Sequence, residues 1–464
     1  MTSPDVVDLE GAEELLDRLR SVRHQESTEP PRPLEALCAE LAELPLRPGS
    51  VVLVALSNGL PLLRFFFACQ LTGYVPVLMA PSTPAPRVGE TAARLGAAAV
   101  VGSRAKAGPG QPAALRIEGV NVVLRTGHPL QLHRPGQAIL LTSGTSGMAT
   151  GCLHEIPALL RNARRHADSV GLTAEDRVLI TLPMYYSFAL VAQLLGCYVT
   201  GATPVVSGPP FNAAEYVDVI GREGITHSSL TPTLVSALLE SGCALPDGLR
   251  TLTVGGQGLA PERTGELLSR HPGLGVYLTY GLTQAGPRVS TLAAHREPPH
   301  RHGSVGLPMD GVRISLRDVG RGPGEQEVLV HSDTVFVRRV GTPHARAAHE
   351  LLDGSVLATG DLGRVDEDGY LYLTGRLSDF VEVRGEKVSL ASLRSVATSL
   401  PEVVAATAAY HADEDLLALG LHVRGTSEDI DEAGLRRRLF SLLSPHERPG
   451  RLTFHQADED ALRK

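Results

Sequence analysis

An α/β protein is the fold class that the sequence predicts, and three observations predict it. Up to about residue 300, short apolar runs alternate with helical stretches, which favours largely parallel sheets. Short strands separated by turns follow, as in a small antiparallel barrel. From about Ser378 the pattern indicates a small α+β tail. A chain of 464 residues exceeds one ordinary core, so we expect two or three domains.

The first elements follow from local patterns in chain order. Residues 9–23 and 34–45 have the amphipathic period of helices. The run "SVVLVAL" (50–56) before Ser-Asn-Gly is typical of a buried strand and a turn. The helix Leu60–Thr72 and the strand "GYVPVLM" complete a strand–helix–strand unit. The segment "RVGETAARLGAAAVVGS" is predicted to contain a helix and then a strand. Further strands are predicted in "DRVLITLP", "ATPVVSG", "ITHSSL", "LRTLTVGG" and "GVYLTYG". Further helices are predicted in "SFALVAQLLGCYVTG", "VDVIGREG" and "PERTGELLSRHPG".

The later elements are shorter. The barrel region is predicted from five strands with turns between them, "VRISLRDV", "EVLVHS", "TVFVRRVG", "GSVLAT" and "YLYLTG". The tail is predicted to contain a hairpin-like "FVEVRGEKVSL", a helix at 391–399, the strands "AATAAYH" and "LLALGLHV", and a helix at 431–442.

Composition excludes several classes of protein. The net charge of −8 argues against nucleic acid as a partner. Five cysteines without a C-x-x-C pair indicate neither a disulfide framework nor a zinc site, and they fit a reducing cytoplasm. The acidic N-terminus lacks the regions of a signal peptide. The most apolar stretch, "PLLRFFFACQLTGYVPVLMA", predicts a buried helix and strand and no membrane span. Oligomeric state cannot be predicted from these features.

The segment "ILLTSGTSGMATGCLH" (139–154) has the composition of a phosphate-binding loop that leads into a helix. Hydroxyls and glycine amides can surround an anion, because glycine permits positive φ and close approach. The lysine of a G-x-x-x-x-G-K loop is absent, and Thr150 stands near the end. The alternative is a Ser/Gly turn in a hairpin. The residues predicted to bind phosphate are Thr142, Ser143, Gly144, Thr145, Ser146 and Gly147.

A second segment, "TYGLTQAGPRVS" (279–290), ends a strand on an aromatic residue and a glycine. We expect Tyr280 to stack on a purine, Gly281 to bind the nucleotide as well, and Thr283 and Gln284 to reach phosphate or metal. The alternative is a plain exit from strand to loop.

A third segment is "LATGDLGRVDEDGYLYLTGRLSD" (357–379). We expect Asp361 to accept hydrogen bonds from two ribose hydroxyls, as acidic residues do in nucleotide sites. Arg376 is expected to bind ribose or phosphate. "DEDGY" is typical of a hairpin turn, and a turn role is the alternative for each acid here.

In this order and spacing, the segments resemble the adenylate-forming superfamily, which includes acyl-CoA synthetases, aryl-acid ligases, luciferases and peptide-synthetase adenylation domains. The resemblance runs from about residue 45 to the C-terminus. "TSGTSGMATG" resembles the family's T-S-G-T-T-G-x-P-K-G, "YGLTQ" its Y-G-x-T-E, and the T-G-D and G-R pairs recur at 359–361 and 375–376. "GGQGLAPE" resembles G-G-E-x-L, which lines the adenine pocket and implies Gly256, Gln257 and Gly258 as nucleotide-binding residues. "GSVGLPMDGV" (303–312) matches G-x-x-G-x-P.

The resemblance implies a domain organisation. We expect a large N-terminal adenylation domain (1–377), made of two α/β subdomains and a small β-barrel. A small mobile α+β C-terminal lid domain (378–464) follows, with a hinge near Ser378–Asp379.

The resemblance also implies a reaction. With ATP and Mg²⁺, a carboxylic acid becomes an acyl-adenylate and pyrophosphate leaves. A thiol or amine then captures the acyl group, and the expected acceptor is CoA, an acyl or peptidyl carrier protein with a phosphopantetheinyl thiol, or an amine. Specialised biosynthesis in the cytoplasm is the expected setting.

Two departures from the family concern charge around the nucleotide. Thr150 replaces the loop lysine that helps to hold the β- and γ-phosphates in the family. Gln284 replaces a glutamate that ligates Mg²⁺, and an amide oxygen is a neutral and weaker ligand for a hard cation. The two changes remove one positive and one negative charge together, which is either compensation or joint loss.

A third departure concerns the catalytic lysine near the C-terminus. The chain has only three lysines, Lys106, Lys387 and Lys464. Lys464 has nearly the family's spacing from the strand "GRLTF", but the expected Pro, Thr and Gly before it are absent. We expect Lys464 to be catalytic, with Lys387 as the second candidate. A frayed basic terminus is the alternative.

Substrate choice is predicted from the acyl pocket. In "LPMYYSFALV", Tyr186 stands where many acyl- and aryl-CoA ligases have histidine before S-F. Tyr186, His227 and Gly256 are the predicted pocket residues for a small carboxylic acid, and plain packing is the alternative for the first two. The aspartate that binds the α-ammonium in amino-acid-activating members is absent here, which argues against an α-amino acid.

Two functional hypotheses follow. The first is an active acid–thiol ligase of the acyl-CoA synthetase or carrier-protein ligase type. The second is a catalytically impaired pseudoenzyme, or a protein on the same fold that binds a nucleotide or acyl-adenylate. Thr150, Gln284 and the incomplete lysine segment support the second hypothesis, and the retained nucleotide-binding residues support the first.

Overall fold

The computed structural model describes most of the chain. The described residues are 6–22, 32–107, 112–126, 130–142, 150–208, 210–320, 325–341, 350–377, 380–383, 386–411, 414, 416–423, 431–443 and 445–456.

Helices occur throughout the described residues. The α-helices are α1 Leu9–Arg18, α2 Leu34–Ala42, α3 Leu60–Leu71, α4 Ala85–Arg94, α5 Ile156–Val170, α6 Gly196–Thr200, α7 Ala213–Arg222, α8 Pro232–Ser241, α9 Pro261–Arg270, α10 Leu390–Thr398 and α11 Glu432–Leu442. A π-helix, Phe188–Leu195, directly precedes α6, and a 3₁₀ turn spans Thr283–Ala285. The side chain of Thr231 caps α8 by accepting a hydrogen bond from the Leu234 amide.

Within the described ranges, the strands make up five sheets. They are β1 Arg20–Ser21, β2 Val51–Ala55, β3 Val75–Leu78, β4 Ala99–Gly102, β5 Leu115–Ile117, β6 Val120–Leu124, β7 Gln137–Thr142, β8 Thr150–Glu155, β9 Arg177–Ile180, β10 Thr203–Val206, β11 His227–Leu230, β12 Thr251–Gly255, β13 Gly275–Gly281, β14 Arg288–Ala293, β15 Leu307–Pro308, β16 Arg313–Arg317, β17 Gln326–His331, β18 Arg338–Val340, β19 Glu350–Leu352, β20 Val356–Val365, β21 Leu371–Arg376, β22 Phe380–Val383, β23 Glu386–Ser389, β24 Val403–His411, β25 Leu416–Val423 and β26 Arg451–Gln456.

The first large sheet has the order β18-β8-β7-β3-β2-β4-β6-β5. Strand β2 pairs in parallel with β3 and β4, and its valines and leucine are buried, as expected for a strand covered on both faces. Strands β7 and β8 form an antiparallel hairpin in which Thr142 lies opposite Thr150. The predicted phosphate loop therefore leads into strand β8, and helix α5 begins only after it. Helix α5 begins at Ile156, just after the segment 139–154, so the predicted helix is confirmed, and strand β8 lies between the loop and this helix.

The second large sheet has the order β1-β10-β9-β11-β12-β13-β14-β15. Strands β9 to β13 are parallel, and β14 returns antiparallel to β13. The carboxyl ends of β11, β12 and β13 therefore lie at one edge, where Thr231, Gly256 and Leu282 follow the strands. This is the edge at which open parallel sheets bind ligands.

One continuous apolar core joins the helices of both large sheets. Its centre includes three consecutive phenylalanines of α3, Phe65, Phe66 and Phe67, which are buried almost completely. Residues of α5 and of the π-helix belong to the same cluster. Helix α5 therefore connects the hairpin β7–β8 with the second sheet, and this position is important for the site.

The later strands build smaller sheets. A five-stranded sheet of order β16-β17-β20-β19, with β21 paired to β20, occupies the region where the small barrel was expected. Strands β22 and β23 pair with each other, and β24, β25 and β26 form a three-stranded sheet. This sheet shares an apolar core with α10 and α11, in which Leu393, Leu421 and Leu439 are fully buried.

The chain divides into two compact units. The first comprises Met1–Ser315, Leu329–Ala358 and Val365–Tyr372, and the second comprises Leu316–Val328, Thr359–Arg364 and Leu373–Lys464. The sheets and helices confirm the predicted α/β class. The domain limits 1–377 and 378–464 stay a prediction, and the hinge at Ser378–Asp379 lies outside the described residues. In the described part of the chain, no helix is long and apolar enough to cross a membrane.

Candidate active site

The end of strand β13 turns sharply at Gly281. The register with β14 shifts between Tyr280 and Gly281, which is a β-bulge. A Cβ atom at position 281 would lie 2.1 Å from the carbonyl oxygen of Pro287, so only glycine fits this approach. Tyr280 is buried, and the chain continues into the turn Thr283–Ala285. The bulge therefore delivers the predicted site residues at the ligand-binding edge of the sheet.

The turn brings two hydroxyl groups together. Oγ1 of Thr283 lies 3.0 Å from Oγ of Ser187, which directly precedes the π-helix. Gln284 is buried, and its carbonyl oxygen accepts a hydrogen bond from the Phe336 amide at 2.8 Å. Ser187 was not among the predicted site residues, although it belongs to the Tyr-Tyr-Ser-Phe segment from which Tyr186 was predicted.

Asn162 of α5 fixes the far side of the same turn. Its Oδ1 accepts from the Arg288 amide at 2.9 Å, and its Nδ2 donates to the Arg288 carbonyl oxygen at 2.9 Å. The same Nδ2 lies 3.2 Å from Oγ1 of Thr334, which donates to the Ala285 carbonyl oxygen at 2.9 Å. Asn162 is fully buried, so these bonds are shielded from water. No sequence pattern pointed to Asn162, because its partners lie far along the chain.

The hairpin that flanks the predicted phosphate loop lies against this turn. Strand β7 contacts the turn directly, and the Val337 amide donates to the Leu153 carbonyl oxygen of β8 at 2.7 Å. Thr142, the last residue of β7, is half-buried. Ser143, Gly144, Thr145, Ser146 and Gly147 lie outside the described residues, and so does the side chain of Thr150. Two of the predicted segments are thus neighbours, although about 140 residues separate them.

The segment after β12 lies at the same edge. Gly256, Gln257 and Gly258 are exposed there, and Gly256 has a positive φ of 93°. A Cβ atom on Gly256 would lie 4.0 Å from the methyl group of Thr231, which follows β11. The backbone of these residues is therefore accessible from solvent, as the predicted adenine pocket requires.

The predicted pocket residues do not all lie together. Tyr186 is 46% exposed and its ring lies 4.7 Å from that of Tyr185. His227 begins β11, at the opposite end of the strands from Gly256. Its Nδ1 lies 3.3 Å from Oδ1 of buried Asp176, and burial lowers its pKa, with the Asp176 charge acting in the opposite direction. The structure therefore places Gly256, and not His227, at the ligand-binding edge.

The predicted ribose site lies in the second compact unit. Nε of Arg376 donates to Oδ1 of Asp361 at 2.6 Å, and Asp361 is 3% exposed. The Asp361 amide donates to Oγ1 of Thr359 at 3.0 Å. The Gly360 amide donates to Oε1 of the buried Glu327 at 3.0 Å. The side chains of Glu327 and Thr359 thus hold the backbone of the T-G-D segment. Asp361 and Arg376, which were both predicted to bind the nucleotide, are hydrogen-bond partners.

Two predicted catalytic features stay predictions. Lys464 lies outside the described residues, and Lys387 lies on β23 opposite Glu382 in register. No group of three His, Cys, Asp or Glu side chains in the described ranges is arranged to hold a metal ion. Gln284 is the described residue that we predicted as a metal ligand, and its amide oxygen would be one neutral ligand only.

Comparison with known proteins shows which family the chain resembles. The family described as AMP-binding enzyme matches residues 34–336, which is more than half of the chain. The matched range contains the hairpin β7–β8, the loop between its strands and the turn Thr283–Ala285.

The chain belongs to the AMP-binding enzyme family.

This membership confirms the predicted resemblance to adenylate-forming enzymes. A 2-succinylbenzoate–CoA ligase of Bacillus pumilus is 32% identical over 261 residues, which are 56% of this chain and 52% of the relative. The chain spans about half the length of the curated relatives it matches.

Solved structures show the same fold. The O-succinylbenzoate coenzyme A synthetase of Bacillus subtilis in complex with AMP has a TM-score of 0.77 and 21% identity, over 98% of this chain and 96% of that chain. The amide bond synthetase of Marinactinospora thermotolerans has a TM-score of 0.70 and 23% identity, over 98% and 96% of the two chains. The likeness covers almost the whole of each chain, so the fold of this chain is that of both structures.

Proposed function

We propose that the protein activates a carboxylic acid with ATP and Mg²⁺. The acid becomes an acyl-adenylate, pyrophosphate leaves, and the acyl group passes to CoA, to a carrier-protein thiol or to an amine. Membership of the AMP-binding enzyme family supports this proposal, and the B. pumilus relative is named as an acid–CoA ligase. The acid is not an α-amino acid by preference. The reaction belongs to specialised biosynthesis in the cytoplasm.

The turn Thr283–Ala285 is the observation on which this function depends. Attack of a carboxylate on a phosphate needs hydrogen-bond donors that are fixed before charge develops. The hydroxyls of Thr283 and Ser187 lie 3.0 Å apart at the ligand-binding edge. Asn162 and Phe336 hold the backbone around them, so these donors are positioned before any ligand arrives.

Each compact unit, taken by itself, contains residues of a type that binds part of a nucleotide. In the second compact unit, Asp361 accepts a hydrogen bond from Arg376, and an acidic residue of this kind accepts from ribose hydroxyls in nucleotide sites. The exposed backbone at Gly256–Gly258 permits close approach of a flat base. Mg²⁺ usually reaches such sites with the phosphates of its substrate and takes few protein ligands, and Gln284 would offer one amide oxygen.

Pyrophosphate release tests the proposal. The full chain is mixed with ATP, Mg²⁺, hydroxylamine and single acids, for example 2-succinylbenzoate, cinnamate, hexanoate, hexanedioate and several α-amino acids. We expect release above the no-acid control for at least one non-amino acid. Mass spectrometry with CoA, pantetheine or an amine in place of hydroxylamine then identifies the acceptor.

A pair of threonine variants links the activity to the site. Thr283→Ala should lower kcat/KM roughly 10²-fold, the loss typical of removing one transition-state donor. Thr291→Ala is the matched control, because Thr291 lies on β14 with its Oγ1 3.4 Å from Oγ of Ser169. Equal kcat/KM in the two variants would contradict the assignment of Thr283. If no acid gives release although the chain binds AMP, the pseudoenzyme hypothesis replaces the proposal.

A further inference from the structure

Arg288 is a buried cation that has no counter-ion among the described residues. It begins β14 and is 2% exposed. Its Nη1 donates to Oγ1 of Thr279 at 2.8 Å, and its Cζ lies 3.6 Å from the centroid of the Phe188 ring. Across the described ranges, no Asp or Glu forms an ion pair with it. A hydroxyl and an aromatic face balance only part of a buried charge.

One edge of this guanidinium has no partner. Nε and Nη2 of Arg288 are both buried and neither has a hydrogen-bond partner among the described residues. These two nitrogens form the side of an arginine that can donate to both oxygens of one carboxylate. Arg64 shows the same edge in use, because its Nε and Nη2 donate to the two oxygens of Glu118 at 2.8 and 2.5 Å. Among the described residues, Arg288 has no acidic partner of the kind that Glu118 provides to Arg64.

The described surroundings of Arg288 do not supply an anion. Burial lowers the pKa of the guanidinium to about 9, so it still carries its charge at pH 7. Burial also lowers the pKa of neighbouring His166 well below its usual value, and the Arg288 charge adds to this effect. A charged arginine beside a neutral histidine leaves the region positive. Such a site is complementary to a buried oxyanion.

Arg288 lies next to the candidate active site. It is opposite Gly281 in the register of β13 and β14. A Cβ atom on Gly255 would lie 3.0 Å from Nη1, so the guanidinium packs against the backbone that precedes Gly256. Phe188, which covers its face, follows Ser187. Arg288 therefore lies against the segments that contain Gly256, Gly281 and Ser187 of the candidate active site.

We propose that Arg288 binds a second carboxylate of the acid substrate, so that the protein activates dicarboxylic acids. This inference rests on the proposed function, because it assumes that an acid enters this pocket. The carboxylate at Arg288 is not the reacting one. A two-oxygen hydrogen-bonded pair with a buried cation would hold the oxygens that must attack phosphorus and would weaken them as nucleophiles.

Matched pairs of acids test the inference. Isothermal titration without ATP measures the Kd of hexanoate against hexanedioate, octanoate against octanedioate, and 3-phenylpropanoate against 3-(4-carboxyphenyl)propanoate. The wild type should bind at least one diacid roughly 10- to 100-fold more tightly than its matched monoacid, which is the range of a charge-assisted hydrogen-bonded pair. Arg288→Met should remove this preference. Arg288→Lys should keep a part of it, because the charge remains without the two-nitrogen edge.

Arg64→Met is the control for loss of a buried arginine. It should lower the melting temperature, because Glu118 loses its partner, and leave the diacid preference unchanged. Arg288→Met should not lower the melting temperature of the ligand-free protein. Equal Kd values for the members of every pair, no binding of any diacid, or a preference that survives Arg288→Met would overturn the inference. A diacid preference in Kd without pyrophosphate release would refute the proposed function and leave the role of Arg288 standing.

Discussion

Replacing Asn162 with alanine should loosen the turn that contains Thr283. The side chain makes two hydrogen bonds to the backbone of Arg288, both at 2.9 Å, in a fully buried position. Alanine would leave one amide and one carbonyl group buried without partners, at about 1–3 kcal/mol each. Thr334 keeps its bond to Ala285, so it adds little. We therefore expect a loss of about 3 kcal/mol in local stability, because a water molecule can occupy part of the space left.

Hydrogen exchange of the Arg288 amide measures this loss of local stability, because this amide donates to Asn162 in the wild type. A loss of about 3 kcal/mol corresponds to roughly 150-fold faster exchange of the Arg288 amide, followed by mass spectrometry of the peptide that contains it. Asn121→Ala is the matched control, because Asn121 makes one half-buried bond to the Ala105 carbonyl oxygen at 3.1 Å. It should leave the Arg288 amide unchanged. If Asn162→Ala also leaves the exchange of this amide within threefold of the wild type, Asn162 does not hold the turn.

The remaining predictions concern pH, charge and the lysines. Burial lowers the pKa of His154 to about 4, so below pH 6.5 the unfolded chain takes up a proton that the folded chain does not. His154 alone should therefore lower the free energy of unfolding by about 3 kcal/mol from pH 7 to pH 4, and denaturant titrations of His154→Phe should show a fall that is smaller by this amount. Thr150→Lys should lower the KM for ATP if the threonine is a loss of function; an unchanged or raised KM would indicate a reshaped site. Gln284→Glu should strengthen the Mg²⁺ dependence of pyrophosphate release, since a carboxylate binds Mg²⁺ better than an amide, and an unaltered Mg²⁺ titration would exclude Gln284 as a ligand. Lys464→Ala should reduce adenylation more than Lys387→Ala, and the reverse order would identify Lys387 as the catalytic lysine.

The α/β class could be predicted because it depends on local periodicity. The run Val51–Ala55 indicated a buried strand, and it became one with parallel neighbours on both sides. The residues Thr150–Glu155 had no such pattern. They form strand β8 because their backbone groups pair with those of β7. This pairing depends on the tertiary structure and not on a pattern within the segment.

The site could be predicted only in part. The motif residues Thr283, Asp361 and Arg376 were found because each belongs to a short segment of recognisable type, and the last two are partners in the structure. Ser187 and Asn162 were missed, because their contacts span 96 and 126 residues along the chain. In a sequence, a buried asparagine within a helix cannot be distinguished from an exposed one, because a single polar residue produces no periodic pattern.

The sequence by itself determined the class of the fold, the order of the nucleotide-binding segments and the absence of two expected charges, at Thr150 and Gln284. Only the tertiary structure decided which buried charges are paired. Arg64 and Arg288 both stand in apolar segments, yet Arg64 meets Glu118, 54 residues away, and Arg288 meets a hydroxyl and an aromatic ring. Desolvation and pairing depend on where atoms lie in three dimensions, so the missing partner of Arg288 became visible only in the folded chain.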